Sequence, residues 1–589
     1  MTFIRLRGKG VSPGIGMGEL SLSEPILFAV KKESLSPASV EAEVRRLKRA
    51  VERTRNELVR LKRQVTASMG EDHGFIFDAH LLILDDRSLF DGIERTVREE
   101  KVRTEWALAQ ANQKYQELFD GIADEYFRQR KSDVSDVLGR VAANLELKIA
   151  RRTKKKEPKD VVLVAHEMLP SEAAVRLSRG NVLAVATDMG GPTSHTAILA
   201  RSLNIPAVVG LRNITQQVKT GDTIIVDGTD GEVIVNPPPA VKKEFLGKKE
   251  RYDHYIRELK KTAKLKSSTL DDVRFLPLAN IELPDEVEMA FSFGAEGIGL
   301  FRSEFLYLQS ARLPLEEDHL AAYSRLARAA YPAPVYIRTI DIGGEKSLPQ
   351  LKIEKEPNPA LGLRAIRFSL RHRDLFKVQL RAILRASSLK NVRVLIPMIT
   401  EMEEIREVKI LFEEAKEELE RERVKFDRQI PLGVMIEVPA AAAITDVLVK
   451  EVDYLSIGTN DLIQYYLAVD RSNEFVSYLY KPLHPSVLRI IRFIIQTALK
   501  EGKDVAVCGE MAADPLSALV LLGFGLRKFS MNPIFIPRIK STLRSVELKT
   551  VEQVVEEAMN LKTAQDVEES IIERILVKHP KAFLMGQVM

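Results

Sequence analysis

A histidine that follows a glycine pair and opens a helix is placed to carry a phosphoryl group. His195 is such a residue, in the run Gly190-Gly191-Pro192-Thr193-Ser194-His195-Thr196. Unpaired backbone N–H groups and the positive end of a helix dipole favour an anion at that spot. A histidine serving as an ordinary helix-start residue accounts for the local pattern equally well. A second set of reactive residue types follows: Arg302 and Glu304, Arg338 and Asp341, Glu437, Asn460 and Asp461 with Arg471, and Cys508 before Gly509-Glu510. Guanidinium forks bind carboxylate and phosphate bidentately. Two carboxylates, Glu437 and Asp461, suit a magnesium ion that keeps waters and phosphate oxygens as its other ligands. A thiol can donate or accept a proton. A small phosphorylated carboxylic acid would engage all three.

These residues need elements to hold them. The run 182–186 reads as a buried strand, and Ile198, Leu199 and Leu203 then fall on one helical face before Asn204 and Pro206 stop it. A hairpin is expected from 222–227 and 232–235 across the Gly228–Gly231 turn. Val11-Ser12-Pro13-Gly14-Ile15-Gly16-Met17-Gly18 is a glycine-punctuated strand start without the helix of a dinucleotide fingerprint. Residues 38–157 contain no proline, and Val40, Val44, Leu47, Val51, Thr54, Leu58, Leu61 and Val65 form an a/d seam of about four heptads. That seam fits a platform for a protein partner or a helix packed in its own bundle. A charged connector over roughly 240–264 follows Pro237-Pro238-Pro239. Apolar runs at 275–278, 297–301, 335–340, 392–396, 432–436, 454–457, 505–507 and 529–531 then alternate with helical patterns. Eight β/α alternations suggest a TIM barrel, whose active site forms at the C-terminal strand ends. The polar residues named above fall just after five of those strands, a clustering that structural pairing alone explains poorly.

Composition narrows the rest. The 589 residues suggest three or four domains, and an apolar fraction of 45% is ample for their cores. With 88 basic and 83 acidic residues the net charge of +5 is slight and makes no case for nucleic acid. Arg151-Arg152-Thr153-Lys154-Lys155-Lys156 reads as a solvated face or loop. No apolar run reaches the ~18 residues that span a membrane, and the first residues lack a signal-peptide core. A single cysteine, Cys508, excludes an intrachain disulfide and a thiolate zinc site. A cytoplasmic chain is expected.

Six motifs in order carry a family resemblance along essentially the whole chain. They are Gly190–Thr196, Gly299-Leu300-Phe301-Arg302-Ser303-Glu304-Phe305, Arg338-Thr339-Ile340-Asp341-Ile342-Gly343-Gly344, Glu437-Val438-Pro439-Ala440, Ser456-Ile457-Gly458-Thr459-Asn460-Asp461-Leu462 and Cys508-Gly509-Glu510. Through them the chain resembles Enzyme I of the bacterial sugar phosphotransferase system, the phosphoenolpyruvate–protein phosphotransferases. The resemblance implies a multidomain α/β protein: a swivelling phosphohistidine α/β domain with a helical-bundle insertion, then a C-terminal TIM (β/α)8 barrel. It implies a phosphohistidine domain at 1–30 and 150–237, a helical domain at 31–149 that docks the phosphocarrier HPr, a linker helix at 238–264, and a phosphoenolpyruvate-binding and dimerisation barrel at 265–589. His195 matches the phosphorylated nucleophile and Cys508 the proton donor. Arg302, Arg338, Asn460, Asp461 and Arg471 match phosphoenolpyruvate-binding positions, and Glu437 and Asp461 match Mg²⁺ ligands. Phe77-Asp78-Ala79-His80-Leu81 lies in the docking region, and His80 reads as a packed helix residue.

Two positions depart from the pattern. Many members carry arginine where this chain has Pro192, and threonine where it has Ala173 after Leu169-Pro170-Ser171-Glu172. A cation near the histidine and a hydroxyl that could orient its ring are missing at those positions. The related phosphoenolpyruvate synthases and pyruvate phosphate dikinases need an ATP-binding domain for which this chain has no room. The nitrogen-regulatory branch of Enzyme I usually adds an N-terminal sensor domain and is the alternative reading. A non-catalytic scaffold is opposed by intact His195, Glu437, Asp461 and Cys508.

Overall fold

The computed structural model describes residues 3–23, 32–69, 75–120, 125–145, 160–177, 180–191, 194–203, 205–308, 312–343, 356–471, 473 and 475–576. The chain forms two units, residues 1–254 and 255–588. The basic run 151–156, Asn204, and Gly344 to Lys346 lie outside the described residues.

The first unit is built on one eight-stranded sheet. Its strands are β1 (Ile4–Arg7), β2 (Lys9–Ser12), β3 (Ile15–Ser23), β4 (Val161–Ala165), β5 (Val182–Thr187), β6 (Ala207–Val209), β7 (Thr223–Asp227) and β8 (Glu232–Val235), in the order β1-β8-β7-β3-β4-β5-β6-β2. β3, β4, β5 and β6 run parallel at its centre, and β7 and β8 form the expected hairpin, Asp227 opposite Glu232. Successive strand residues point to opposite faces. Val161, Leu163 and Ala165 therefore face the helices, while Val162 and Val164 meet Ile224, Val226, Val233 and Val235.

Between β3 and β4 the described residues form five α-helices: α1 (Val40–Met69), α2 (Phe75–Leu84), α3 (Arg87–Glu100), α4 (Thr104–Asp120) and α5 (Glu125–Leu145). The heptad seam of α1 is buried at Val44, Leu47, Thr54, Leu58, Leu61 and Val65, and it packs on α2, α3 and α5. The seam is thus the core of a bundle. Thr54 fits there because its hydroxyl donates to the Ala50 carbonyl at 2.9 Å. His80 is buried on α2, with Nε2 3.3 Å from Asp133 of α5. The side chains of Asp78 and Ala79 lie outside the described residues.

The second unit is a closed parallel barrel. Its strands are β9 (Leu276–Ile281), β10 (Ile298–Arg302), β11 (Val335–Arg338), β12 (Val392–Ile396), β13 (Leu432–Ile436), β14 (Tyr454–Ile457), β15 (Asp504–Val507) and β16 (Lys528–Met531), with β16 pairing β9. Leu278, Leu300, Tyr336, Leu395, Met435, Tyr454 and Cys508 fill the interior. Their neighbours Ala279, Phe301, Ile337, Val394 and Leu455 face the outer helices. Two strand ends differ from the sequence expectation by more than one residue. β9 runs on to Ile281, because Asn280 is held inside the barrel mouth by the Cys508 carbonyl, to which its amide donates at 2.8 Å. β11 stops at Arg338 and not at Ile340, because the Ile340 N–H donates to the Gln379 side chain at 3.0 Å instead of to a strand.

Candidate active site

His195 opens helix α7 (His195–Ser202), directly after the N-cap Ser194, whose Oγ accepts from the Ala197 N–H at 3.3 Å. Gly190 has φ +108°, a left-handed turn that glycine adopts without strain. The turn is pinned from below by buried Asp188, which accepts from the Ile214 N–H and the Thr215 hydroxyl and lies 3.2 Å from Nδ1 of His166. Ala173 is fully buried on helix α6 (Pro170–Leu177), so the missing hydroxyl is replaced by apolar packing. Pro192, Thr193 and the His195 side chain lie outside the described residues.

In the second unit, Arg302, Arg338, Glu437, Asn460, Asp461, Arg471 and Cys508 all line one cavity of about 250 Å³ at the barrel mouth. The geometry is a lattice of alternating charge. Arg338 Nη2 meets Glu304 Oε1 at 2.7 Å, and its Nη1 meets Asp341 at 3.2 Å. Burial works against that guanidinium's charge, but Glu304, Asp341 and Glu437 outweigh it and hold its pKa above the ordinary value. Arg302 pairs with Glu282 at 2.7 Å. Arg471 stands 4.0 Å from Asp461 and 3.9 Å from Glu510, close enough for attraction but not locked by either. Asn460 exchanges two hydrogen bonds with Glu510, at 3.1 and 2.7 Å. Gly509 permits this close approach, since a Cβ there would collide with Thr459 Oγ1.

Cys508 is a buried thiol. Its Sγ accepts from the Ser456 hydroxyl at 3.3 Å and faces the Ile457 carbonyl at 3.6 Å. Burial pushes its pKa up to about 11; the Ser456 hydrogen bond opposes the rise and Glu437 adds to it. At neutral pH it is a thiol that carries its proton.

Glu437 ends β13 and is buried, with Oε1 accepting from the Met398 N–H at 2.7 Å. Burial, then Asp461 and Asp341, raise its pKa, while Arg338 and Arg364 oppose the rise. Glu437 is thus a buried carboxyl beside other carboxylates, and a divalent cation there would favour its charged form. Among the described residues no group of three or more His, Cys, Asp or Glu side chains could hold a metal unaided. Two carboxylates with room for phosphate oxygens is nevertheless a donor set that Mg²⁺ accepts.

Arg364 belongs to the site although no strand-end pattern points to it. It donates to both Asp341 oxygens at 3.0 Å, to Asp461 at 3.1 Å and to the Tyr465 hydroxyl at 2.9 Å. It reaches the cavity from the N-cap of the helix Ala365–Arg371. The only sequence signal is its place in Asn358-Pro359-Ala360-Leu361-Gly362-Leu363-Arg364, a turn followed by a helix start.

A mouth carrying four arginines, a carboxylate pair and a protonated thiol, on a chain that also presents a histidine at a helix start, agrees with three family models. They are the PEP-utilising enzyme N-terminal domain at residues 7–130, the mobile domain at 157–231 and the PEP-binding domain at 256–548. Relatives named phosphoenolpyruvate-protein phosphotransferase align end to end. That of Geobacillus stearothermophilus is 42% identical over 562 residues, covering 95% of this chain and 96% of its own. Those of Staphylococcus aureus and Bacillus subtilis are each 39% identical, covering 96% and 95% of this chain and 98% of their own. The chain belongs to the phosphoenolpyruvate-protein phosphotransferase family. Within the phosphotransferase fold the barrel lies in the PEP-binding segment and His195 in the mobile one.

Proposed function

We propose that this chain takes the phosphoryl group of phosphoenolpyruvate onto His195, releases pyruvate, and passes the group to a histidine of HPr in the sugar phosphotransferase system. The observation that carries the reading is the convergence of Arg302, Arg338, Glu437, Asn460, Asp461, Arg471 and Cys508 on one cavity. The division follows the functions: residues 1–30 and 150–237 carry the phosphohistidine, 31–149 dock HPr, 238–264 link, and 265–589 bind phosphoenolpyruvate and dimerise, in the cytoplasm.

Arg302, Arg338, Arg364 and Arg471 hold the carboxylate and phosphate of the substrate, and Asn460 adds an amide donor. Glu437 and Asp461 would hold Mg²⁺, which supplies Lewis-acid stabilisation of charge on the phosphoryl oxygens. The His195 imidazole attacks phosphorus as the bond from phosphorus to the enol oxygen breaks, and the arginines stabilise the charge that shifts onto the departing enolate. Cys508 gives its proton to the enolate methylene carbon, leaving a thiolate and pyruvate. Its neutrality supports that role, since a thiolate would have no proton to give. The His195 domain must then leave the barrel and meet HPr on the helical domain, a large domain movement.

Cys508→Ala separates these steps. Pyruvate formation should fall by about 10²–10⁴-fold, while phosphoryl transfer from phosphoenzyme to HPr stays at the wild-type rate. Because the thiol stays protonated up to about pH 11, the wild-type rate of pyruvate formation should show no thiol limb between about pH 6 and 9. Equal loss in both half-reactions would remove the proton-donor role.

A further inference from the structure

One buried polar side chain outside the cavity ties its two arginine-bearing strand ends together. Gln379 lies on the helix Arg373–Ala386, whose other buried residues are Phe376, Leu380, Ala382, Ile383, Leu384 and Ala386. A fully buried amide on such an apolar face is costly unless every polar atom is paired. Here they are. Oε1 accepts from the Ile340 N–H at 3.0 Å, and Nε2 donates to Ser303 Oγ at 3.0 Å and to the Tyr323 hydroxyl at 2.9 Å.

The direction of the amide's bonds is set by chemistry. A backbone N–H can only donate, so the amide atom facing Ile340 is the oxygen. The nitrogen must then give one proton to each hydroxyl. Ser303 is left to donate its own proton to the Arg338 carbonyl, at 2.9 Å. The Tyr323 hydroxyl also lies 3.0 Å from Nδ1 of His319. Burial keeps His319 neutral, with a pKa lowered to about 4, and raises that of Tyr323, so the end of the network on that side of Gln379 holds one protonation state.

Ser303 sits between Arg302 and Glu304, and Ile340 sits next to Asp341 and two residues from Arg338. We propose that Gln379 is the positioning residue of the substrate clamp: its amide joins Ser303 to Ile340 and so sets where Arg302 and Arg338 point in the cavity. The inference rests on the reading of Arg338 as a phosphoenolpyruvate ligand. Gln379 touches no substrate. It acts through the backbone of β10 and β11 and through the Ser303 bond to the very residue that carries the guanidinium.

Gln379→Glu tests this in the full chain. The carboxylate keeps the size and the acceptor but loses both donors, so Ser303 turns its proton toward residue 379 and abandons the Arg338 carbonyl. The KM for phosphoenolpyruvate should rise about tenfold at pH 8, the loss of roughly one charge-linked hydrogen bond. Transfer from phosphoenzyme to HPr should stay unchanged. As pH falls toward about 6, a buried carboxyl regains a proton, and the ratio of variant to wild-type KM should shrink. A general loss of packing would show no such recovery. Ser303→Ala deletes a single oxygen and should raise the same KM in the same direction, by about threefold. If Gln379→Glu fails to fold, Ser303→Ala decides alone, and a wild-type KM overturns the proposal. Arg338→Ala checks the reading beneath. If it leaves phosphoenolpyruvate binding intact, the assignment of Arg338 falls. If it abolishes binding while Gln379→Glu and Ser303→Ala keep wild-type KM values, only the role of Gln379 falls.

Discussion

Guanidiniums at the barrel mouth differ in how closely carboxylates hold them. Arg338 and Arg364 are braced by Glu304, Asp341 and Asp461 before any substrate arrives, whereas Arg471 keeps about 4 Å from its carboxylates. Braced guanidiniums lose little freedom on binding a ligand, so they define its position. Arg364 carries the most contacts of this kind, with a fork shared by two aspartates and a tyrosine. A lysine cannot reproduce that fork. Arg364→Lys should therefore raise the KM for phosphoenolpyruvate by about tenfold or more, measured in the pyruvate-release half-reaction. An unchanged KM would place Arg364 outside the substrate contacts. Arg364 and Gln379 also mark where sequence reasoning stops. Arg302, Glu437, Asp461 and Cys508 are legible because each directly ends or follows an apolar strand. Arg364 caps a helix and follows no apolar strand directly, and Gln379 is one polar residue on an amphipathic helix, where an exposed position is the ordinary reading.

At the scale of elements, the barrel strands were legible because buried parallel strands leave unbroken apolar runs. Their ends were less so, since contacts with distant residues move them: the Asn280 bond to the Cys508 carbonyl lengthens β9 and the Ile340 bond to Gln379 shortens β11. The pairing of β1 with β8 was equally hidden, because a register between residues 4–7 and 232–235 has no local signature. Outside the barrel, its helices are tied by charge. Arg381 bonds Glu316 at 2.7 Å, Glu418 at 3.0 Å and Glu422 at 2.8 Å, joining the helices Glu316–Ala330, Arg373–Ala386 and Met402–Arg421. Arg385 and Lys377 extend the same network to Glu317 and Glu414. Isolated surface pairs contribute little, but a network centred on one largely covered arginine contributes more. Arg381→Ala should lower barrel stability by about 1–2 kcal/mol, with the loss shrinking in high salt. Chemical denaturation at low and high ionic strength reads both effects. A loss that ignores salt would assign the role of Arg381 to its aliphatic packing.

At the scale of the whole molecule, the chemistry is divided between two units. The cavity with its arginines, carboxylates and thiol belongs entirely to residues 255–588, and the helix that His195 opens belongs to residues 1–254. Neither unit holds both that cavity and His195. The family models fall on the same division, with the PEP-binding domain over 256–548 and the mobile domain over 157–231. In the proposed function His195 is the one covalent link between phosphoenolpyruvate and everything downstream. Incubation of the full chain with ³²P-phosphoenolpyruvate and Mg²⁺ tests that claim most directly. The wild-type protein should gain one acid-labile phosphoryl group by intact mass, and His195→Ala should gain none while still binding phosphoenolpyruvate at the barrel. Acid-labile label retained by His195→Ala would contradict the account.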